Sequence, residues 1–153
     1  MRDKLDISFY HFTITPLVIG LPRLIKKIYS TKQNLFVLCK TEEEMIELNK
    51  VLWTFSSKEF IPHGTINEAD PELQPVLLST DPSHNRNAST ILLSTTGETT
   101  ALDPSFSKHL YSFYGNQDEV KPMADLYQTY RKRDDIAALF WRQDQAGKWN
   151  NVV

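Results

Sequence analysis

Glycine is scarce in this sequence, and cysteine is scarcer. The five glycines, at positions 20, 64, 97, 115 and 147, never fall in a G-x-G or G-K-T/S context. The close backbone approach that a dinucleotide or P-loop phosphate requires therefore has no local support. The single cysteine, Cys39, cannot build a thiolate zinc site, and inside the apolar run LFVLC it reads as a small buried hydrophobe. The four histidines, His11, His63, His84 and His109, stand in no H-E-x-x-H arrangement, and no G-x-S-x-G elbow occurs. No stretch reaches the roughly 18 apolar residues of a membrane-crossing helix. The N-terminal MRDKLDISFYHFTI lacks the continuous apolar core of a secretory signal, so the expected compartment is the cytoplasm. An excess of one charge is also missing. With 17 Lys and Arg against 19 Asp and Glu, the net charge of −2 gives little support to non-specific nucleic-acid binding, which needs clustered cations.

What is present is an ordinary apolar fraction, 41%, in 153 residues, enough for one core without metal or disulfides. Leu5 to Ile14 alternates as a first strand does when covered on both sides. Thr15 and Pro16 offer a helix start, and Leu17, Leu21, Leu24, Ile25 and Ile28 form an apolar stripe, although Gly20 and Pro22 allow the helix to begin only at Pro22. Asn34 to Cys39 reads as a strand buried on both faces. Thr41 followed by Glu42, Glu43 and Glu44 resembles a capping box, with Met45, Leu48, Leu52 and Phe55 as the core stripe of the helix that follows. Pro75 to Ser79, Thr90 to Ser94, His109 to Gly115 and Ile136 to Arg142 read as further strands. DPSHNRNAS is a polar loop, Asp118 to Arg133 a helix, and QDQAGKWNNVV a turn or loose end. Strands alternating with helices predict an α/β domain with a largely parallel sheet.

The stretch KVLWTFSSKEFIPHG, Lys50 to Gly64, concentrates aromatic surface. If Met45, Leu48 and Leu52 face the core, Trp53 is turned about 100° from Leu52, onto a strip with Ile46 and Asn49. Either the IPHG segment folds back over Trp53, or Trp53, Ile46 and Phe60 present the rigid anchors of an interface. A second cluster, Tyr127, Tyr130, Arg131, Lys132 and Arg133, is either a solvated helix end or a surface that recognises an acidic peptide. It is also the only support for direct binding of single-stranded DNA.

The chain resembles the chi subunit family of bacterial DNA polymerase III. The resemblance is most specific in LFVLCKTEEEMIELNKVLWTFSSKEFIPHG, where a buried strand, a capped acidic helix, a Leu-Trp pair and a Phe-x-Pro-His turn follow one another. It continues in YQTYRKR and in the closing strand near Trp149. It implies a single Rossmann-like three-layer α/β domain over residues 1–150, with helices on both faces of a mostly parallel sheet and a tail at 151–153. It also implies no catalytic site and no cofactor. By the same resemblance, Trp53 and Phe60 lie at the contact with a psi subunit of the clamp loader, with Pro62, His63 and Ile46 shaping that surface. A helicase is the other candidate partner. The late helix would bind the acidic C-terminal tail of single-stranded DNA-binding protein, so contact with nucleic acid is mostly indirect. Tyr127 matches an aromatic of that pocket, but Ala124 and Gln128 stand where members carry cations, leaving Lys121, Arg131, Lys132 and Arg133 to supply the charge. The rival reading is a small nucleotide-dependent enzyme on a Rossmann-like fold.

Overall fold

The computed structural model describes residues 4–56, 58, 60–95, 105–115 and 117–152. Along them run β1 (Leu5–Phe12), α1 (Leu17–Tyr29), β2 (Leu35–Leu38), α2 (Glu42–Thr54), β3 (His63–Thr65), a 3-10 turn (Pro71–Leu73), β4 (Val76–Ser79), β5 (Ile91–Ser94), β6 (Lys108–Tyr114), α3 (Gln117–Arg131), β7 (Ile136–Gln143) and β8 (Trp149–Asn151). The strands make one sheet in the order β3-β4-β2-β5-β6-β1-β7-β8. Every neighbouring pair is parallel except β7 and β8. The α/β class expected from the alternating pattern is present.

Strand alternation divides the core between the two faces. Ile7 and Phe9 of β1 pack with Tyr111, Phe113 and Phe140 beneath Met123, Tyr127 and Tyr130 of α3. Phe12, Leu35 and Val37 pack instead beneath Leu21, Ile25 and Ile28 of α1 and Met45, Leu48 and Leu52 of α2. Helices α1 and α2 thus cover one face and α3 the other. Right-handed crossovers require this: β1 to β2 and β2 to β3 step toward one sheet edge, whereas β6 to β7 steps toward the other. Leu35, Phe36 and Val37 are all fully buried, which is why LFVL is apolar without alternation. Cys39 is buried too; burial and the nearby Glu44 carboxylate hold its thiol far above the ordinary range, so it stays protonated and unreactive.

Two helix starts show how sequence sets local structure. At α2, Thr41 is extended and its Oγ1 accepts from Glu44 N–H at 3.1 Å. The Glu44 carboxylate reaches back to Lys40 N–H at 3.1 Å, so the acidic first turn closes its own donors. At α1 the cap residue is Pro16, which offers no side-chain bond. The helix begins there nonetheless, because Gly20 lets it settle on the core: a Cβ at Gly20 would lie 2.5 Å from Cε1 of the buried Phe12 ring. Pro22 sits inside the helix, in its second turn.

Several expectations are corrected. The first strand ends at Phe12 rather than Ile14, because the backbone of Thr13 to Thr15 turns its N–H groups onto Gln143. The last helix ends at Arg131 rather than Arg133. Phe55 lies just past the end of α2, half-buried against the core cluster. His63-Gly64-Thr65, expected as part of a turn, is an edge strand of the sheet. The segment expected to be a turn or loose end is a hairpin: Asp144 Oδ1 accepts Ala146 and Lys148 N–H at 2.8 and 2.9 Å, Gly147 takes the left-handed φ of 80°, and Trp149–Asn151 returns antiparallel to β7. Its Trp149 ring stands edge-on to Tyr10 and Phe12, with centroids 5.4 and 4.8 Å away. Val153 of the expected tail lies outside the described residues.

Candidate docking surface

In open α/β sheets, ligands favour the crevice at the carboxyl ends of the strands, and phosphates favour the N-terminus of the helix after the first strand. Here that place is occupied by the protein itself. The Gln143 Oε1, at the end of β7, accepts from Thr13, Ile14 and Thr15 N–H at 3.1, 3.3 and 3.4 Å. Thr13 Oγ1 donates in turn to the Gln143 carbonyl at 3.1 Å. Three loop donors beside the start of α1 thus already have an acceptor. On the opposite face His11 donates through Nε2–H to Gly115 O at 3.1 Å and receives Arg142 Nε–H on Nδ1 at 3.4 Å. Among the described residues, no three His, Cys, Asp or Glu side chains converge as metal ligands do, and no helix is long and apolar enough to cross a membrane.

The exposed chemistry lies at the other end of the sheet, on the outside of α2. Trp53 is 54% exposed and Phe60 56%, yet their ring centroids are only 5.1 Å apart. Ile46 is exposed on the same strip. The IPHG segment does fold back, but beneath Trp53 rather than over it. Ile61 is buried, Pro62 half-buried and His63 buried, with the His63 ring 5.0 Å from Trp53 and 6.4 Å from Phe60. His63 Nδ1 stands 2.7 Å from Ile61 O and Nε2 stands 3.2 Å from Asn49 O, so whichever nitrogen carries the proton finds a backbone acceptor. A proton on Nε2 ties the loop to α2 and one on Nδ1 closes the loop on itself; with either, the ring lies against the two aromatic rings. Asn49 Oδ1, under this surface, is buried with no hydrogen-bond partner among the described residues. Such an orphan costs about 1–3 kcal/mol.

The late-helix residues divide. Tyr127 and Tyr130 are buried, with Tyr127 standing 5.8 Å from Phe9 and 5.4 Å from Phe140, so their rings belong to the core under α3. Lys121, Arg131 and Lys132 are exposed on its outside, together with the neutral Gln128. Arg131 lies over the Tyr127 ring, 5.6 Å from its centroid, and Arg133 is held by Asp135 at 2.7 Å. The structure makes Trp53, Phe60 and His63 neighbours; sequence reasoning missed Gln143, whose role depends on β7 lying beside β1.

Fold and surface together define an α/β domain whose strand-end crevice is closed by its own side chain and whose exposed aromatics are fixed on the outside of a helix. The chain belongs to the DNA polymerase III chi subunit (HolC) family, whose model matches residues 5–136. It is similar to the "Probable DNA polymerase III subunit chi" of Rickettsia prowazekii (strain Madrid E), with 33% identity over 88 residues. That match takes in 58% of this chain and spans about half, 53%, of the length of the relative.

Proposed function

We propose that this chain is a non-catalytic accessory subunit of the DNA polymerase III holoenzyme, built on a Rossmann-like scaffold, that joins two partners. A psi-type subunit of the clamp loader docks on Trp53, Phe60 and Ile46, with Pro62 and His63 holding the surface in shape. The acidic tail of single-stranded DNA-binding protein is the second partner, and tethering through both raises the local concentration of the clamp loader on coated DNA. The observation that carries this reading is the braced, half-exposed Trp53–Phe60 pair. Fixed aromatic rings lose little conformational freedom on binding and are the usual anchors of interfaces.

Burying the free half of a Trp side chain removes roughly 100 Å² from water, about 2.5 kcal/mol at ~25 cal/mol/Å². Trp53→Ala and Phe60→Ala should therefore each weaken psi binding by about 2 kcal/mol, roughly thirtyfold, in calorimetry. Unchanged affinity in both variants would overturn the assignment. The nucleotide-enzyme reading has less support than the adaptor reading, because Gln143 accepts from three loop donors beside α1.

A further inference from the structure

Between the second half of α1 and strands β1, β5 and β6 lies a cavity of about 210 Å³. Its apolar walls are Leu24 and Ile28 from α1 and Ile91 and Leu110 from the sheet, all buried. Lys27, Lys108 and Tyr10 bring polar groups to the same cavity. Among the described residues, no carboxylate lies within ion-pair distance of either lysine and no group bonds the Tyr10 hydroxyl. Lys27 is in the last turn of α1, where a cation ordinarily complements the free carbonyls. Here Ser30 Oγ and Thr31 Oγ1 already donate to the Lys27 and Ile28 carbonyls, each at 2.6 Å. Burial raises the Tyr10 pKa above the usual 10.0, so the hydroxyl keeps its proton and serves as a donor. Asp6 stands opposite Lys108 in the β1–β6 register, exposed, and its charge opposes an anion here.

We propose that this cavity binds a small phosphate monoester, with the phosphate among Lys27, Lys108 and Tyr10 and the ester's apolar group against Leu24, Ile28, Ile91 and Leu110. Two cations and a third donor match a dianion with three free oxygens, which a carboxylate does not offer. The volume equals that of about seven waters at ~30 Å³ each, below the ~300 Å³ at which pockets for drug-sized ligands begin. The apolar group is therefore no larger than a single ring. In the sheet, β2 and β4 separate β5 from β3, so the site stands apart from the Trp53 surface and does not rest on partner docking.

The test is a heteronuclear NMR titration with phenyl phosphate at about pH 8, where the ester is a dianion, and at about 50 mM salt, where charge is weakly screened. Methyl signals of Leu24, Ile28, Ile91 and Leu110 should shift together and saturate. K27Q/K108Q should raise the dissociation constant about tenfold or more, and Y10F, which keeps the ring beside Trp149, about threefold. D6N should lower it about twofold. Inorganic phosphate, which lacks the apolar group, and benzoate, which lacks the second charge, should each bind about tenfold more weakly than phenyl phosphate. Matching far-ultraviolet circular dichroism and urea midpoints separate lost contact from lost fold. Absence of these methyl shifts at ~10 mM phenyl phosphate, or unchanged affinity in K27Q/K108Q, would overturn the site. Inorganic phosphate binding as tightly as the ester would leave an adventitious ion only, and benzoate binding as tightly would defeat the dianion.

Discussion

Replacing Gln143 by alanine tests whether the closed crevice is a structural element of this fold. Its Oε1 accepts three backbone N–H groups at 3.1, 3.3 and 3.4 Å, and the residue is 8% exposed. Only the first distance is within the usual range for an N–H···O bond, so it counts for about 1 kcal/mol and the other two for a fraction each. The stranded donors add a desolvation penalty, softened because Ile14 is 51% exposed and water reaches part of the loop. The sum is about 2 kcal/mol. With a urea m-value of ~2 kcal/mol/M for a chain of this size, the midpoint should fall by about 1 M. Gln143→Glu keeps the acceptor and places its charge beside donors at the start of α1, a gain opposed by burying a carboxylate, so it should stay within about 1 kcal/mol of the parent. A Gln143→Ala midpoint within about 0.3 M of the parent would refute the reasoning, since the N–H groups would then have been satisfied by water all along.

Two further outcomes follow from geometry on either side of β1. Gly20→Ala should destabilise by about 1–3 kcal/mol in urea unfolding, against the ~1 kcal/mol gain that alanine usually brings to a helix, because its Cβ meets the Phe12 ring at 2.5 Å. A stabilised variant would mean the helix shifts freely. For His11, burial lowers the pKa below the ordinary 6.5, the bond to Gly115 opposes it, and the Arg142 charge adds a smaller lowering. The folded state therefore favours the neutral ring, and its contribution is fully present above about pH 6.5 and lost as pH falls from there through the lowered folded value. Unfolding midpoints at pH 7.5, 6.5 and 5.5 should show this loss in the parent and not in His11→Gln; equal slopes would remove His11 as its source.

The sequence made the fold legible wherever a residue's burden was local. Thr41 with three following glutamates declared the start of α2, and LFVL declared a strand buried on both sides. Trp53 was legible as well, because helical phase alone turns it off the Met45–Leu48–Leu52 stripe. The features that escaped depend on which strands become neighbours. Three residues with a glycine at their centre carry no strand pattern, and His63–Thr65 is a strand only because β4 lies beside it. Gln143 is one polar residue at the end of an apolar run until β7 pairs with β1 and brings its amide under Thr13. Tyr127 and Tyr130 sit at helical spacing beside three basic residues, and sequence cannot say that the rings turn inward while the cations stay outside.

The proposed docking surface and the protection of the sheet edge share a residue, His63. An edge strand presents unpaired backbone groups to any passing strand, and proteins blunt such edges by keeping them short or covering them. Here β3 is three residues long, and its His63 packs against α2, with Nε2 3.2 Å from Asn49 O. The same imidazole lies against Trp53 and Phe60, with centroids 5.0 and 6.4 Å away. Two large aromatics left half in water are unfavourable for a protein on its own, whereas anchors already held in place lose little entropy when a partner covers them. On the proposed reading, a partner that covers Trp53 and Phe60 removes the cost of their exposure without any moving part.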